Sequence, residues 1–131
     1  LDHLWRTTID PVQGAVGIRQ QIQRGFSELL ALAKVRMADL GGIGIGFGGP
    51  VDGATRSIIK SHQISGWDGF PLAAWGEETF GLPCELGNDA DVAGLAEACL
   101  GAGVGYNPVF YMTIGSGIGG GLILDQKIYR G

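Results

Sequence analysis

Residues 43–52 read IGIGFGGPVD, and residues 113–121 read TIGSGIGGG. In each stretch, an apolar run of the kind found in buried strands ends in a turn rich in glycine. Glycine lets a backbone approach a ligand closely and adopt positive φ, so repeated glycines at strand ends indicate a ligand held by main-chain groups. Between the two turns, Asn88 and Asp89 stand where a helix is predicted to begin. We therefore predict a phosphate-transfer site built from two turns and one carboxylate.

Both stretches match the G-x-G-x-x-G spacing of dinucleotide-binding loops. Such a loop needs a helix directly after the glycines, whereas the first stretch runs into Pro50 and the second into the strand-like residues 121–124. We therefore disfavour a dinucleotide site, and the P-loop consensus is absent. From local sequence alone, residues 115–117 fit equally well a hairpin turn that only reverses the chain, and Asp89 fits an ordinary helix cap.

The composition indicates one ordinary globular domain. The chain has 131 residues, of which 45% are hydrophobic and 17% charged, and it contains 25 glycines without a collagen-like period. Its formal net charge of -4 argues against a general nucleic-acid or anionic-membrane surface. Cys84 and Cys99 lack metal-site spacing and are predicted to be free, buried thiols. With no signal-peptide pattern and no apolar run of membrane-spanning length, we expect a cytoplasmic protein.

Periodicity predicts alternating strands and helices followed by hairpins, the pattern of an α/β fold. The predicted strands are 4–9, 43–47, 84–86, 109–114, 121–124 and 127–129, with a short extended pair near 57–59 and a hairpin tip at 125–126. The predicted helices are 16–40, closed by Gly41-Gly42, then 71–80, stopped by Gly81, and 90–100. A second subdomain is expected to begin near Pro108, which divides the chain into 1–107 and 108–131. Because the resulting sheet is small, we expect the chain to be part of something larger.

Several motifs in this order resemble the ROK family of sugar kinases, open reading frames and transcriptional repressors, close to its glucokinase-like members. They occupy residues 44–52, 65–72, 87–91, 115–121 and 129–131. The resemblance implies the actin-like ATPase fold, which is ribonuclease-H-like and has two α/β lobes with sugar and ATP in the cleft between them. The chain would hold most of the N-terminal sugar-binding lobe, residues 1–107, and the first strands of the C-terminal lobe, residues 108–131.

The same resemblance implies an ATP-dependent kinase that phosphorylates a hydroxyl of a hexose or an N-acetylhexosamine. Asp89 would be the general base, and Asn88 and Gly49 would contact the sugar together with Asp89. Gly115, Ser116 and Gly117 would form a phosphate loop for ATP, with Mg²⁺ as the counterion and no metal site of the protein's own. Trp67 would pack the sugar-lobe loop. The complete protein would be a homodimer with a sugar substrate and no membrane partner.

The chain departs from the family pattern at Gly48, where Pro is common, and at Asp91, where Asn is common. It also lacks three motifs of the family: the Asp-x-Gly-Gly-Thr phosphate loop, the Glu-x-Gly-His sugar motif and the cysteine-rich zinc motif. We therefore predict that the isolated chain is inactive. A sugar-responsive repressor with an upstream DNA-binding winged helix, which would add nucleic acid as a partner, remains the chief alternative. A non-catalytic sugar-binding protein is a third, and the sugar and the donor, ATP or polyphosphate, stay open.

Overall fold

A computed structural model of the chain describes residues 3–115 and 117–130. Its three small sheets are a parallel pair, β1 with β4, an antiparallel pair, β2 with β3, and an antiparallel meander in the order β5-β6-β7. Helices and strands together make an α/β architecture, as predicted. The bounds are α1 (Gly14–Ala33), β1 (Ile43–Phe47), β2 (Val51–Asp52), β3 (Ser57–Ile58), α2 (Leu72–Phe80), β4 (Cys84–Asn88), α3 (Asp89–Leu100), β5 (Val109–Ile114), β6 (Ile118–Leu124) and β7 (Lys127–Ile128).

The parallel pair β1–β4 has two different faces, because side chains alternate along a strand. One face carries the apolar side chains of both strands into the main core, which also contains Ala15, Ile58, Trp67, Leu72 and Ala73. The other face is largely glycine and lies against α3, where a Cβ atom on Gly87 would come within 2.4 Å of Val92 Cγ1. The glycines therefore let α3 pack directly on the sheet.

Trp67 packs inside this core, as predicted. It is 2% exposed, and its ring meets those of Phe47 and Phe70 edge to face at centroid distances of 5.7 and 5.5 Å. Arg19 of α1 places its guanidinium 4.3 Å from the Phe70 ring centroid. The loop that contains Trp67 is thus anchored on the core from both sides.

The strand predicted at residues 4–9 is wrong, since residues 3–10 contain neither helix nor strand. Trp5 instead lies on α1 at Gly25, where a Cβ atom would come within 2.5 Å of its ring, and donates from Nε1 to Glu28 Oε2 at 2.6 Å. Trp5 thus docks its aromatic ring on a helix, and the segment does not pair with another strand.

The first helix also ends earlier than predicted, at Ala33 rather than Leu40, and Gly41-Gly42 is not its cap. Lys34 adopts the left-handed conformation, with φ 55°, and the Val35 N–H donates to Leu30 O at 3.2 Å, a pairing that closes helices. Gly42 serves a different purpose, because a Cβ atom there would lie 3.1 Å from Pro83 O. Periodicity continued past the true end because residues 37–39 form a further 3₁₀ turn.

The remaining elements agree closely with the prediction. The second helix begins after Pro71 and ends at Gly81, whose φ is 67°. Asp125 and Gln126 form the hairpin tip with φ values of 49° and 59°. The strands differ at their ends: β4 continues to Asn88, β6 starts at Ile118, and β7 stops at Ile128. The predicted subdomain boundary near Pro108 stays a prediction.

An ion pair joins three of these elements. Arg56 Nη1 donates to Glu77 Oε1 at 2.7 Å and to Cys84 O at 3.1 Å, and it thereby connects the end of the β2–β3 turn with α2 and β4. Hydrogen bonding to Arg56, followed by the Cys84 N–H, lowers the pKa of Glu77 from its usual value of 4.5. Both side chains remain more than one third exposed, so water screens the interaction.

We expect the ion pair to make the fold sensitive to acid. Because the pKa of Glu77 is lower in the folded state, the stabilisation is present above about pH 4.5 and is lost as the pH falls through the folded-state value. Glu77→Gln should therefore destabilise the protein at neutral pH, and its deficit relative to the wild type should shrink on acidification. Urea unfolding at pH 7 and pH 3.5 would measure this, with Glu78→Gln as a charge-matched control on the same helix. A deficit that is equal at both pH values would contradict the expectation.

Candidate active site

The parallel pairing of β1 and β4 brings the first glycine turn and the start of α3 to one edge of the sheet. Phe47, the last residue of β1, is paired with Asn88, the last residue of β4. The chain leaves β1 through Gly48-Gly49 and leaves β4 directly into α3. The carboxyl ends of parallel strands are where α/β folds build ligand sites.

Asn88 caps α3 and ties it to the first turn. Its Oδ1 accepts hydrogen bonds from the N–H groups of Ala90 and Asp91 at 3.0 and 3.2 Å. Its Nδ2 donates to Gly49 O at 3.0 Å. The acceptor of this amide is thus occupied by the helix, and one N–H of Nδ2 is left over for a ligand.

Asp89 is the first residue of α3, and the capping residue is its neighbour Asn88. One carboxylate oxygen, Oδ1, accepts from the Ala90 N–H at 2.9 Å. The other, Oδ2, lies 3.5 Å from the place where a Cβ atom on Gly48 would stand. Asp89 therefore directs one carboxylate oxygen toward the first glycine turn, while the side chain of Asn88 caps the helix.

Asp52, the other carboxylate near this turn, is engaged differently. Its Oδ1 accepts from the N–H groups of Ala54 and Thr55 at 2.8 and 3.2 Å and so shapes the β2–β3 turn. These backbone hydrogen bonds, led by that of Thr55, lower the pKa of Asp52 below its usual range. Asp52 is a turn residue and does not line the cleft described below.

The second glycine stretch divides into two parts with separate roles. Gly119 and Gly121 lie within β6, where Cβ atoms would come within 3.1 Å of Ala90 Cβ and 3.0 Å of Asp91 Cα. These glycines let the first turn of α3 rest directly on β6. Gly115 and Gly117 lie in the connection between β5 and β6, where an added Cβ would have no neighbour within 4 Å in the described parts of the chain, apart from the residues next to it in sequence.

The connection between β5 and β6 reverses the chain, because the two strands pair antiparallel. The Gly115 N–H donates to Gly117 O at 2.8 Å and closes the turn, so this N–H is already used. The connection is therefore a hairpin turn, one of the two interpretations that the local sequence allowed. It does not exclude ligand binding, because the open side of the turn faces the start of α3 across a cleft.

A cleft of about 460 Å³ brings the two turns and Asp89 together. Of the predicted site residues, Asn88, Asp89, Gly115 and Gly117 line it, and Gly49 is joined to it through Asn88. Ser116 lies outside the described residues. Among the residues that the structure describes, the lining consists of Gly48, Gln63, Asn88, Asp89, Ala90, Thr113, Gly115, Gly117, Ile118 and Gly119.

Two polar residues of this lining, Gln63 and Thr113, were not predicted from the sequence. Thr113 could have been found, because it is a polar residue near the end of a strand, two residues before Gly115 of the glycine turn. Gln63 left no comparable signal, since it lies in a segment without periodicity. It reaches the cleft only through the tertiary path of that segment.

The part of the chain that the structure describes contains no group of three or more His, Cys, Asp or Glu residues arranged to hold a metal ion. Among the helices of residues 3–115 and 117–130, none combines the length and the apolar character needed to cross a membrane. Cys84 is buried, as predicted, and burial raises the pKa of its thiol, whereas Cys99 is only partly buried.

The model of the ROK family matches residues 13–131. The chain belongs to the ROK family. A glucokinase from Halalkalibacterium halodurans is 33% identical over 127 residues, which are 97% of this chain and 38% of that kinase. A xylose repressor from Caldicellulosiruptor bescii is 30% identical over 90 residues, which are 69% of this chain and 22% of the repressor. The family thus contains both kinases and repressors similar to this chain.

Among solved structures, a ROK family glucokinase from Streptomyces griseus, in complex with glucose and AMPPNP, superimposes with a TM-score of 0.83 at 31% identity. The match covers 97% of this chain and 38% of that chain. The predicted fold is confirmed: the architecture is α/β and belongs to the actin-like ATPase fold of the ROK sugar kinases. The chain spans 38% of the length of both the glucokinase structure and the Halalkalibacterium enzyme.

Proposed function

We propose that this ROK family chain carries the central part of an ATP-dependent sugar kinase that phosphorylates a hydroxyl of a hexose or an N-acetylhexosamine. The observation that carries the proposal is the position of Asp89, which lines one cleft together with both glycine turns while Asn88 caps the helix. The similarity to glucokinases supports the same conclusion. The proposal concerns the complete protein, because the chain covers only part of those relatives.

In the proposed reaction, Asp89 accepts the proton of the sugar hydroxyl that attacks the γ-phosphate. A carboxylate suits this task because it is acceptor-only when ionised and one of its oxygens faces the cleft. Phosphoryl transfer depends mainly on positioning and electrostatic stabilisation, so a site made of backbone turns and one carboxylate can support it. Asn88 fixes the first glycine turn through Gly49 O and thereby sets the wall against which the sugar would lie.

The nucleotide phosphates would lie at Gly115, Ser116 and Gly117. Among residues 3–115 and 117–130, no atom apart from the adjacent residues would contact a Cβ at Gly115 or Gly117, which leaves space for phosphate oxygens beside the main chain. When bound with ATP, Mg²⁺ supplies charge neutralisation, and it is commonly held by one or two carboxylates and the substrate phosphates rather than by a protein cage.

The proposal is tested by sugar-dependent ADP release from the full-length protein. The panel should contain glucose, mannose, N-acetylglucosamine and N-acetylmannosamine, each with ATP and, separately, with polyphosphate. We expect turnover with at least one sugar and none from the isolated 131-residue chain. Sugar binding without turnover across the whole panel would contradict the kinase.

That negative outcome would favour a sugar-responsive repressor, which the similarity to a xylose repressor keeps as the second candidate. The residues before Leu1 in the full-length protein distinguish the two. A helix-turn-helix there supports the repressor, whereas an Asp-x-Gly-Gly-Thr strand opening supports the kinase. Sugar binding without either ATP binding or DNA binding would instead indicate a non-catalytic sugar-binding protein.

A further inference from the structure

Gln63 lines the same cleft as Asp89 and both glycine turns, although no motif contains it. It belongs to the segment between β3 and α2, which has neither helix nor strand from residue 59 to residue 71. A side chain on such a segment can serve a binding site only if the surrounding backbone holds it in place. The contacts on both sides of Gln63 do so.

On the N-terminal side, the Ser61 N–H donates to Asp68 Oδ1 at 3.0 Å, and Ser61 Oγ accepts from the Ile64 N–H at 3.2 Å. These bonds fold the segment around Gln63 into a closed loop. On the C-terminal side, Ser65 O accepts from the Ala15 N–H at the start of α1 at 2.9 Å. Two residues further on, Trp67 is buried in the core.

The chemistry of the cleft gives Gln63 a particular place. Among the described lining residues, polar side chains come only from Gln63, Asn88, Asp89 and Thr113. Asn88 has used its acceptor on α3, and an ionised Asp89 can only accept. Gln63 is therefore the amide in this lining whose carbonyl oxygen is not committed to the helix cap. A neutral group that both donates and accepts suits a hydroxyl or a pair of neighbouring hydroxyls.

We propose that Gln63 is a specificity-determining residue whose side-chain amide hydrogen-bonds a sugar hydroxyl other than the one that receives phosphate. The inference rests on the proposed function, since it takes the ligand of the cleft to be a sugar. Asp89 is assigned to the reacting hydroxyl, so the amide of Gln63 hydrogen-bonds a hydroxyl at another position of the sugar ring. Binding of this kind is made equally in the ground state and in the transition state, so it affects KM more than kcat.

Isothermal calorimetry with the full-length protein, without nucleotide, tests the inference. The probes are glucose and its 1-, 2-, 3-, 4- and 6-deoxy analogues, and the proteins are the wild type, Gln63→Ala and the control Gln20→Ala on the exposed side of α1. One hydrogen bond contributes roughly 0.5–1.5 kcal/mol, which is about a twofold to tenfold change in Kd. We expect Gln63→Ala to bind glucose that much more weakly and Gln20→Ala to match the wild type.

The deciding measurement is the pattern across the deoxy analogues. In the wild type, removal of the hydroxyl that Gln63 contacts should weaken binding about twofold to tenfold, and in Gln63→Ala that same analogue should bind as well as glucose. Equal losses for every analogue in both proteins would overturn the role of Gln63 while leaving the proposed function intact. If the wild type binds none of these probes and no hexose of the kinase panel, the proposed function fails, and the inference about Gln63 fails with it.

Discussion

Asp89→Asn should abolish nearly all sugar phosphorylation in the full-length protein and leave sugar binding almost unchanged. An amide keeps the shape of the side chain and can still accept the Ala90 N–H, which reaches Asp89 Oδ1 at 2.9 Å. It cannot accept the proton of the attacking hydroxyl, and loss of a positioned general base lowers kcat by about 10²–10⁴-fold. We expect kcat to fall by that factor, as measured by sugar-dependent ADP release. Because proton transfer to the base occurs in the transition state, the Kd for sugar should change by less than about threefold.

Asp91→Asn is the matched control. Asp91 lies in the same first turn of α3, carries the same charge and does not line the cleft. Both substitutions remove a negative charge from the positive end of the helix dipole, which costs about 0.3–1 kcal/mol of stability in either case. A kcat for Asp89→Asn that stays near that of Asp91→Asn would remove Asp89 as the base. Loss of sugar affinity in parallel with kcat would instead assign it to sugar binding.

Gly121→Ala should destabilise the protein and lower its activity together. A Cβ atom at this position would lie 3.0 Å from Asp91 Cα and 3.2 Å from Ala90 O, both of them backbone atoms of α3 that cannot rotate away. Overpacking of this kind costs about 1–3 kcal/mol. Because the displaced turn of helix carries Asp89, kcat should fall as well, and a displacement of about 1 Å can cost about 10²-fold. Urea unfolding and ADP release measure the two effects.

Gly44→Ala provides the comparison for this substitution. Gly44 is also a strand glycine, and a Cβ atom there would have no neighbour within 4 Å among the described residues. Both exchanges remove the same backbone freedom from the unfolded chain, so their difference isolates the contact with α3. We expect Gly44→Ala to unfold at or above the urea concentration of the wild type. An equal midpoint for Gly121→Ala would show that α3 does not rest on β6 as described.

The sequence predicted the class of fold and the position of most elements, because the patterns concerned are local. Pro71 and Gly81 delimit α2 by their backbone preferences, and the apolar run from Ile43 to Phe47 is a strand. Prediction failed where a side-chain pattern served a distant contact. The apolar residues of the segment 4–9 include Trp5, which docks on Gly25, and Gly42 makes room for Pro83 rather than ending a helix.

The same distinction applies to the candidate site. Local sequence left Asp89 open between a helix cap and a base, and only the hydrogen bonds of Asn88 assign the cap to the neighbouring residue. From local sequence, residues 115–121 were also interpreted as a single glycine-rich turn. The structure separates the open turn at Gly115 and Gly117 from the packing glycines of β6, because that difference depends on which atoms lie opposite each Cα.

By itself, the sequence determined the α/β class, the two glycine turns, the Asn88-Asp89 pair and the resemblance to the ROK family. These follow from periodicity, turn chemistry and motif order, all of which can be read along the chain. Only the tertiary structure decided that the two turns meet Asp89 across one cleft, that Gln63 joins them there, and that glycines on β1, β4 and β6 bring α3 into place. The reason is physical: the close contacts that shape the cleft join backbone segments far apart in sequence. A glycine in the sequence does not show which of these segments will pack against it.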